Sequence, residues 1–145
     1  MDQRQAFYEA IAQDMTATLA TAAEGSVTMR LVSPVPDGDG ILIFTHSGSV
    51  KYRQLKANPN CCLAVRGFFA EATATFCGST MLPENRRLRE VYSKKFSGAF
   101  DEGIAFGGRD AEFLLLRPFR LSGWRFADDA PGPEDVPTVP FSIAL

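Results

Sequence analysis

Apolar and polar residues alternate along this chain in short stretches, and three longer stretches change to a helical period. In residues 3–14 the apolar positions Phe7 and Ile11, continued by Met15, recur every four residues and share one helix face. Residues 16–21 are short and β-branched, and Ala-Glu-Gly-Ser bounds them, so they read as a strand entering a hairpin. Residues 27–35 form the returning strand, closed by the turn Pro36-Asp37-Gly38-Asp39-Gly40. A third strand at 41–45 leads into a helix at 49–57. Asn58-Pro59-Asn60 stops that helix, because proline disfavours the α region in the residue before it. Residues 61–66 and 72–79 read as two more antiparallel strands joined by a loop near Gly67. A helix at 84–96 follows, with Pro83 at its first position and Leu88, Val91 and Tyr92 on one side. Residues 97–110 are glycine-rich and irregular. Strands resume at 112–117 and 119–126, separated by Pro118, and the segment from Ala127, with Pro131, Pro133, Pro137 and Pro140, reads as an extended tail.

Six or seven short antiparallel strands with two or three peripheral helices predict an all-β or α+β fold, a barrel or sandwich rather than a doubly wound sheet. The 145 residues fit one domain, 1–145, with about 127–145 as its Pro-rich tail. Hydrophobic residues at 46% and charged residues at 22% are ordinary for a globular chain, and a net charge of −2 gives no general attraction for nucleic acid. The start, Met1-Asp2-Gln3-Arg4-Gln5, lacks the apolar core of a signal peptide, and no later run is long enough to span a bilayer. A cytoplasmic location, without a membrane partner, is the expectation.

The three cysteines Cys61, Cys62 and Cys77 form no C-x-x-C pair, and buried free thiols are their simplest reading. The single histidine, His46, has no clustered Cys or acidic partners in sequence, so no metal site is expected. No G-x-S-x-G elbow supports a serine triad on that histidine.

The stretch 44–59 carries the most chemistry. An apolar strand runs through Phe44-Thr45 into a Ser/Gly turn, and Lys51 falls in the first turn of the next helix. Free N–H groups and the partial positive charge at a helix N-terminus can hold an anion. Thr45, Ser47 and Ser49 add hydroxyls and Lys51 an ammonium. A helix cap at Ser47 or Ser49 beside a solvated Lys51 explains the same residues equally well. The spacing is not that of a P-loop.

The order Thr-Met-Arg-Leu-Val, turn, Ile-Phe-Thr, Ser-Val-Lys, helix, Leu-Lys-Ala-Asn-Pro resembles the FMN-binding split β-barrel proteins related to pyridoxamine 5′-phosphate oxidase, in particular their general-stress-protein branch. The resemblance spans roughly residues 16–124 and is most specific at 44–59. It implies an antiparallel split barrel, FMN as cofactor, and a homodimer with the cofactor in the cleft between protomers. By resemblance Arg30 reaches the flavin phosphate, Leu31, Val32 and Ser33 lie along the flavin, and Phe44 and Thr45 line it. Lys51 and Ser49 grip the phosphate, Thr73 lies near the ring, and Trp124 packs beside the flavin from the partner subunit or serves as a core or interface aromatic. A phosphate dianion needs more than one positive neighbour, which Arg30 and Lys51 together supply.

Two departures from the oxidases stand out. Val50 takes the place of a second phosphate-binding arginine, and the C-terminal segment is too short to bind pyridoxal phosphate as theirs does. The resemblance therefore implies a flavin-dependent oxidoreductase acting on a small-molecule redox substrate, but not a true pyridoxamine-phosphate oxidase. Its alternative is a non-catalytic module that binds, stores or senses a flavin, the deazaflavin F420 or haem. The sequence shows no convincing general acid or base, so no catalytic residue is named.

Overall fold

The computed structural model of the chain describes residues 2–100, 110–126 and 138–145. The chain begins with α1 (Gln3–Gln13), then β1 (Ala17–Ala23), β2 (Ser26–Val32), β3 (Val35–Asp37), β4 (Gly40–His46) and α2 (Val50–Ala57). It continues through β5 (Asn60–Val65), β6 (Phe68–Ser79), a 3₁₀ turn (Pro83–Asn85), α3 (Arg86–Lys95), β7 (Ala111–Phe126) and β8 (Thr138–Ala144). All strand pairings are antiparallel, in the order β2-β1-β5-β6-β7-β4-β3, with β8 added to β7. This is the antiparallel split barrel expected from the sequence, and the path of described strands does not close, because β2 and β3 are its two ends.

Two apolar clusters hold the sheet, and β4 separates them. Ile41 and Ile43 face a larger core with Phe7 and Ile11 of α1, Leu19, Leu55, Leu63, Leu114, Leu116 and Leu121. Leu42, between them, points the other way into a smaller cluster with Val35, Tyr92 and Phe113. That alternation is the period-two geometry of a strand, and here both faces are dry. Each fully buried Leu, Ile or Phe contributes about 1.5–3 kcal/mol. Tyr92 anchors α3 by donating its hydroxyl to the Ser33 carbonyl at 3.1 Å.

Several boundaries differ from the sequence reading, each for a local reason. The strand expected at 27–35 is two strands, β2 and β3, because the chain changes partner from β1 to β4 after Val32. The loop expected up to residue 71 is only the pair Arg66-Gly67, with φ of 47° and 78°, a two-residue hairpin turn that releases β6 already at Phe68. Pro118 does not divide the last strands. It sits at a register shift between β6 and β7, where a missing N–H is tolerated. Met15 lies beyond the end of α1 and is exposed rather than part of its apolar face. The tail is not merely extended: Thr138–Ala144 pairs with β7 as β8. Residues 101–109 of the irregular segment and 127–137 of the tail lie outside the described residues.

Candidate functional site: a cationic cradle between β2 and α2

The β1–β2 hairpin turns on Glu24-Gly25, both at positive φ, and sends β2 back along β1 with Leu19 opposite Arg30. Strand alternation puts Ser26, Thr28 and Arg30 on one face and Val27, Met29 and Leu31 on the other. The Arg30 guanidinium donates to the Thr21 hydroxyl at 2.8 Å and the Leu19 carbonyl at 3.2 Å, and also to the Thr28 hydroxyl. An arginine can only donate, so both hydroxyl oxygens are acceptors here and their protons must go elsewhere. They go to the side-chain oxygen of Gln54, a buried residue of α2, at 2.5 Å from Thr21 and 2.7 Å from Thr28. The network fixes the guanidinium with neutral groups alone. Its positive charge is held but not neutralised, and burial draws its pKa below the ordinary arginine value.

Lys51 enters from the first turn of α2. Its pKa is lowered first by burial and second by the charge of Arg30, so the two cations lie within electrostatic reach of each other. Lys51 makes no hydrogen bond or ion pair with the described residues, and no carboxylate is bonded to either cation. Ser49 caps the helix, its Oγ accepting the Tyr52 N–H at 3.2 Å and lying 2.9 Å from the buried Thr45 hydroxyl. The cap reading of Ser49 is therefore realised, at the helix end whose first turn carries Lys51. Arg30 fixed by its hydrogen bonds, the unpaired Lys51 ammonium, a helix end and hydroxyls, without a competing carboxylate among the described residues, form a donor set suited to a phosphate dianion.

The other residues singled out in the sequence disperse. Val32 is in the core, and Ser33 gives its carbonyl to Tyr92. Leu31 faces outward, opposite to Arg30, at 68% exposure. Phe44 is half-buried with its ring edge-on to His46 and Tyr92. Thr73 lies on β6, donating to the Asn60 side chain at 3.4 Å and paired with Arg117. Trp124 lies on β7 opposite Pro140 of β8 and is 63% exposed, so it is not a core residue of this chain. Neither Thr73 nor Trp124 shares a hydrogen bond or ring contact with the cradle. Cys61 is buried, its thiol pKa pushed up to about 12 by desolvation, which makes it inert.

Sequence reasoning missed Thr21, Thr28 and Gln54. A polar Gln54 beside Leu55, on the inward side of a short helix, was the available signal.

The sequence matches the pyridoxamine 5′-phosphate oxidase family over residues 3–117, most of its length. The chain belongs to this family. No curated protein matches it. Among solved structures it is similar to general stress protein 26 from Bacillus anthracis, with 12% identity, 83% of this chain and 92% of that one covered, and a TM-score of 0.64. It is also similar to a FAD-binding protein from Mesorhizobium loti, with 15% identity, coverages of 85% and 94%, and a TM-score of 0.66. The haem storage protein HutZ from Vibrio cholerae matches at 16% identity, with coverages of 81% and 91% and a TM-score of 0.62. At such identities the likeness establishes the shared fold alone. Within that family fold, the cradle occupies the β2–α2 corner, and no helix among the described residues is long and apolar enough to cross a membrane.

Proposed function

We propose that this protein binds a flavin by its phosphate, with FMN the minimal ligand, and acts as a flavin-dependent oxidoreductase on a small molecule. The observation that carries the reading is the Arg30–Lys51 pair: two cations within electrostatic reach of each other, Arg30 held by neutral groups, with no carboxylate among the described residues bonded to either. Such a pair is repulsive by itself and becomes favourable around a dianion. Arg30 and Lys51 would hold the phosphate, Ser49 and the α2 N-terminus would orient it, and Thr21, Thr28 and Gln54 would keep the guanidinium in place. When bound, the flavin supplies hydride and electron transfer at its ring.

A homodimer suits the outer face of the sheet. Val27, Met29 and Leu31 are 74%, 73% and 68% exposed on β2. The register runs from Leu31 through Thr18 and Ala64 to Phe69, itself 43% exposed, so exposed apolar side chains stand at both ends of a row that crosses four strands. In that assembly Trp124, Leu31 and Thr73 would meet the cofactor from faces that this single chain leaves open. The cytoplasm is the proposed location.

A second reading, flavin, F420 or haem binding without turnover, draws on one observation: among the described residues no acid or base is hydrogen-bonded into the cradle. Equilibrium binding with FMN, riboflavin and haem as ligands tests both. FMN should bind at least about 100-fold more tightly than riboflavin, which lacks the phosphate, and an Arg30→Ala/Lys51→Ala variant should erase the difference. Equal affinity for FMN and riboflavin sinks the cradle reading. Oxidation of NAD(P)H by the FMN-loaded protein favours the enzyme, whereas tight FMN that accepts no electrons from any donor favours the binding module.

A further inference from the structure

Beside the cradle, and sharing a wall with it, lies a cleft of about 240 Å³ lined by Ala23, Glu24, Ser26, Thr28, Val50, Arg53, Gln54 and Ala57. Its two sides are regular. Val50, Arg53, Gln54 and Ala57 are spaced i, i+3, i+4 and i+7, which is one face of α2. Ser26 and Thr28 continue the row of β2 that ends at Arg30, with a step of about 6.6 Å between alternate residues. The cleft thus runs from Thr28 and Gln54, which also support Arg30, toward the hairpin tip at Glu24.

The chemistry of the lining is that of donors near the cradle and an acceptor far from it. The Arg53 guanidinium has no hydrogen bond or ion pair among the described residues. Gln54 has its side-chain oxygen occupied by the protons of Thr21 and Thr28, so its amide nitrogen is the end with no partner there. The Ser26 hydroxyl has no side-chain partner either. Glu24, at the tip, is the lining carboxylate. A volume of about 240 Å³ falls short of the roughly 300–1,000 Å³ that encloses a whole drug-sized ligand, so the cleft suits part of a ligand continuing from next door.

We propose that this cleft takes a second phosphate and its ribose, so that the cradle accepts FAD as well as FMN and holds FAD the more tightly. The inference rests on Arg30 and Lys51 holding the first flavin phosphate. A pyrophosphate then places its second phosphate one short step along the β2 row, between Thr28 and the Arg53 guanidinium. Arg53 thereby supplies, one helical turn later, a cationic contact that Val50 cannot supply. Glu24 accepts from the ribose hydroxyls, whose distance from the phosphates keeps its charge away from theirs.

The test is equilibrium binding of FMN and FAD to wild type, Arg53→Ala and Arg53→Lys, followed by flavin fluorescence, with circular dichroism to confirm that each variant folds. The wild type should prefer FAD to FMN by about fivefold or more. Arg53→Ala should weaken FAD by about tenfold, the lower end of a charged hydrogen bond's contribution, and leave FMN within about twofold. Arg53→Lys should recover part of the FAD affinity. FMN bound as tightly as FAD, or an Arg53→Ala loss equal for both, overturns the cleft and leaves the cradle standing. Failure of both flavins to bind overturns the cradle and the cleft together.

Discussion

On α3, nearly every basic side chain is tied into the fold. Arg86 pairs with Glu90 at 3.2 Å, Arg87 grips Asp37 with two parallel bonds of 2.9 Å, and Arg89 donates to the carbonyls of Thr80 and Leu82. Lys95 gives its three protons to the carbonyls of Ile11, Asp14 and Pro34, each at 2.6 Å, joining α1 and the β2–β3 connection to α3. On α2, by contrast, Lys51 and Arg53 have no partner among the described residues, and Arg30 beside them rests on hydroxyls and a carbonyl. Residue type and helical spacing are alike in the two helices. What separates Lys51 and Arg53 from the cations of α3 is the presence of built-in acceptors, charged or neutral: a cation whose acceptors belong to the fold stitches elements together, and one without them is available to a ligand.

Mutations should therefore divide by helix. Lys51→Met should lower FMN affinity by about 10- to 100-fold, as expected for a charge-assisted phosphate contact. Urea stability should not fall, because the repulsion with Arg30 disappears. Lys95→Met should do the reverse, losing about 1–3 kcal/mol in urea denaturation from three orphaned carbonyls, with FMN affinity within about twofold. If either variant moves the other's readout instead, the division between the helices fails. Gln54→Leu tests the boundary between them. It removes the acceptor of two hydroxyls, so stability should drop by about 1–2 kcal/mol and FMN binding should weaken together.

A pH series sharpens the same contrast. Lys51 titrates below the ordinary 10.5 because of burial and Arg30, so its folded-state pKa is depressed relative to the unfolded chain. Between those two values the unfolded chain holds more protons, and stability from this group rises with pH. Phosphate binding needs the protonated form, so FMN affinity should fall over the same window. Lys51→Arg should move that fall to higher pH, and an affinity flat up to 10.5 in wild type would exclude Lys51 from the site. The smallest effect belongs to Arg87→Ala, about 1 kcal/mol, because the arginine of this pair is exposed although Asp37 is not.

The sequence made the strand-and-helix order legible because hydrophobic period, turn residues and helix stops act locally. Asn58-Pro59 ended α2 as read, and Glu24-Gly25 turned the first hairpin. Misread boundaries came from pairing partners: nothing local in residues 27–35 shows that Val32 ends one pairing and Val35 begins another. The cradle was half legible. Thr45, Ser49 and Lys51 stood out as charged or hydroxyl residues near a strand–helix junction, and Arg30 came from the family resemblance. The support from Thr21, Thr28 and Gln54 was not, since it joins three elements and gains meaning only once Arg30 is seen to donate to both threonines.

The position of β2 at the end of the sheet path has a further consequence. Arg30 rides on a strand with one hydrogen-bonded neighbour, whereas Lys51 rides on a helix capped and packed against β1 and β4. Edge strands open more readily than central ones. A phosphate bridging the two would fasten this loose margin to a firm element, so occupancy should appear as slowed amide hydrogen exchange along Ser26–Val32, with little change in β4. Ligand binding would then be read out as the order of a strand.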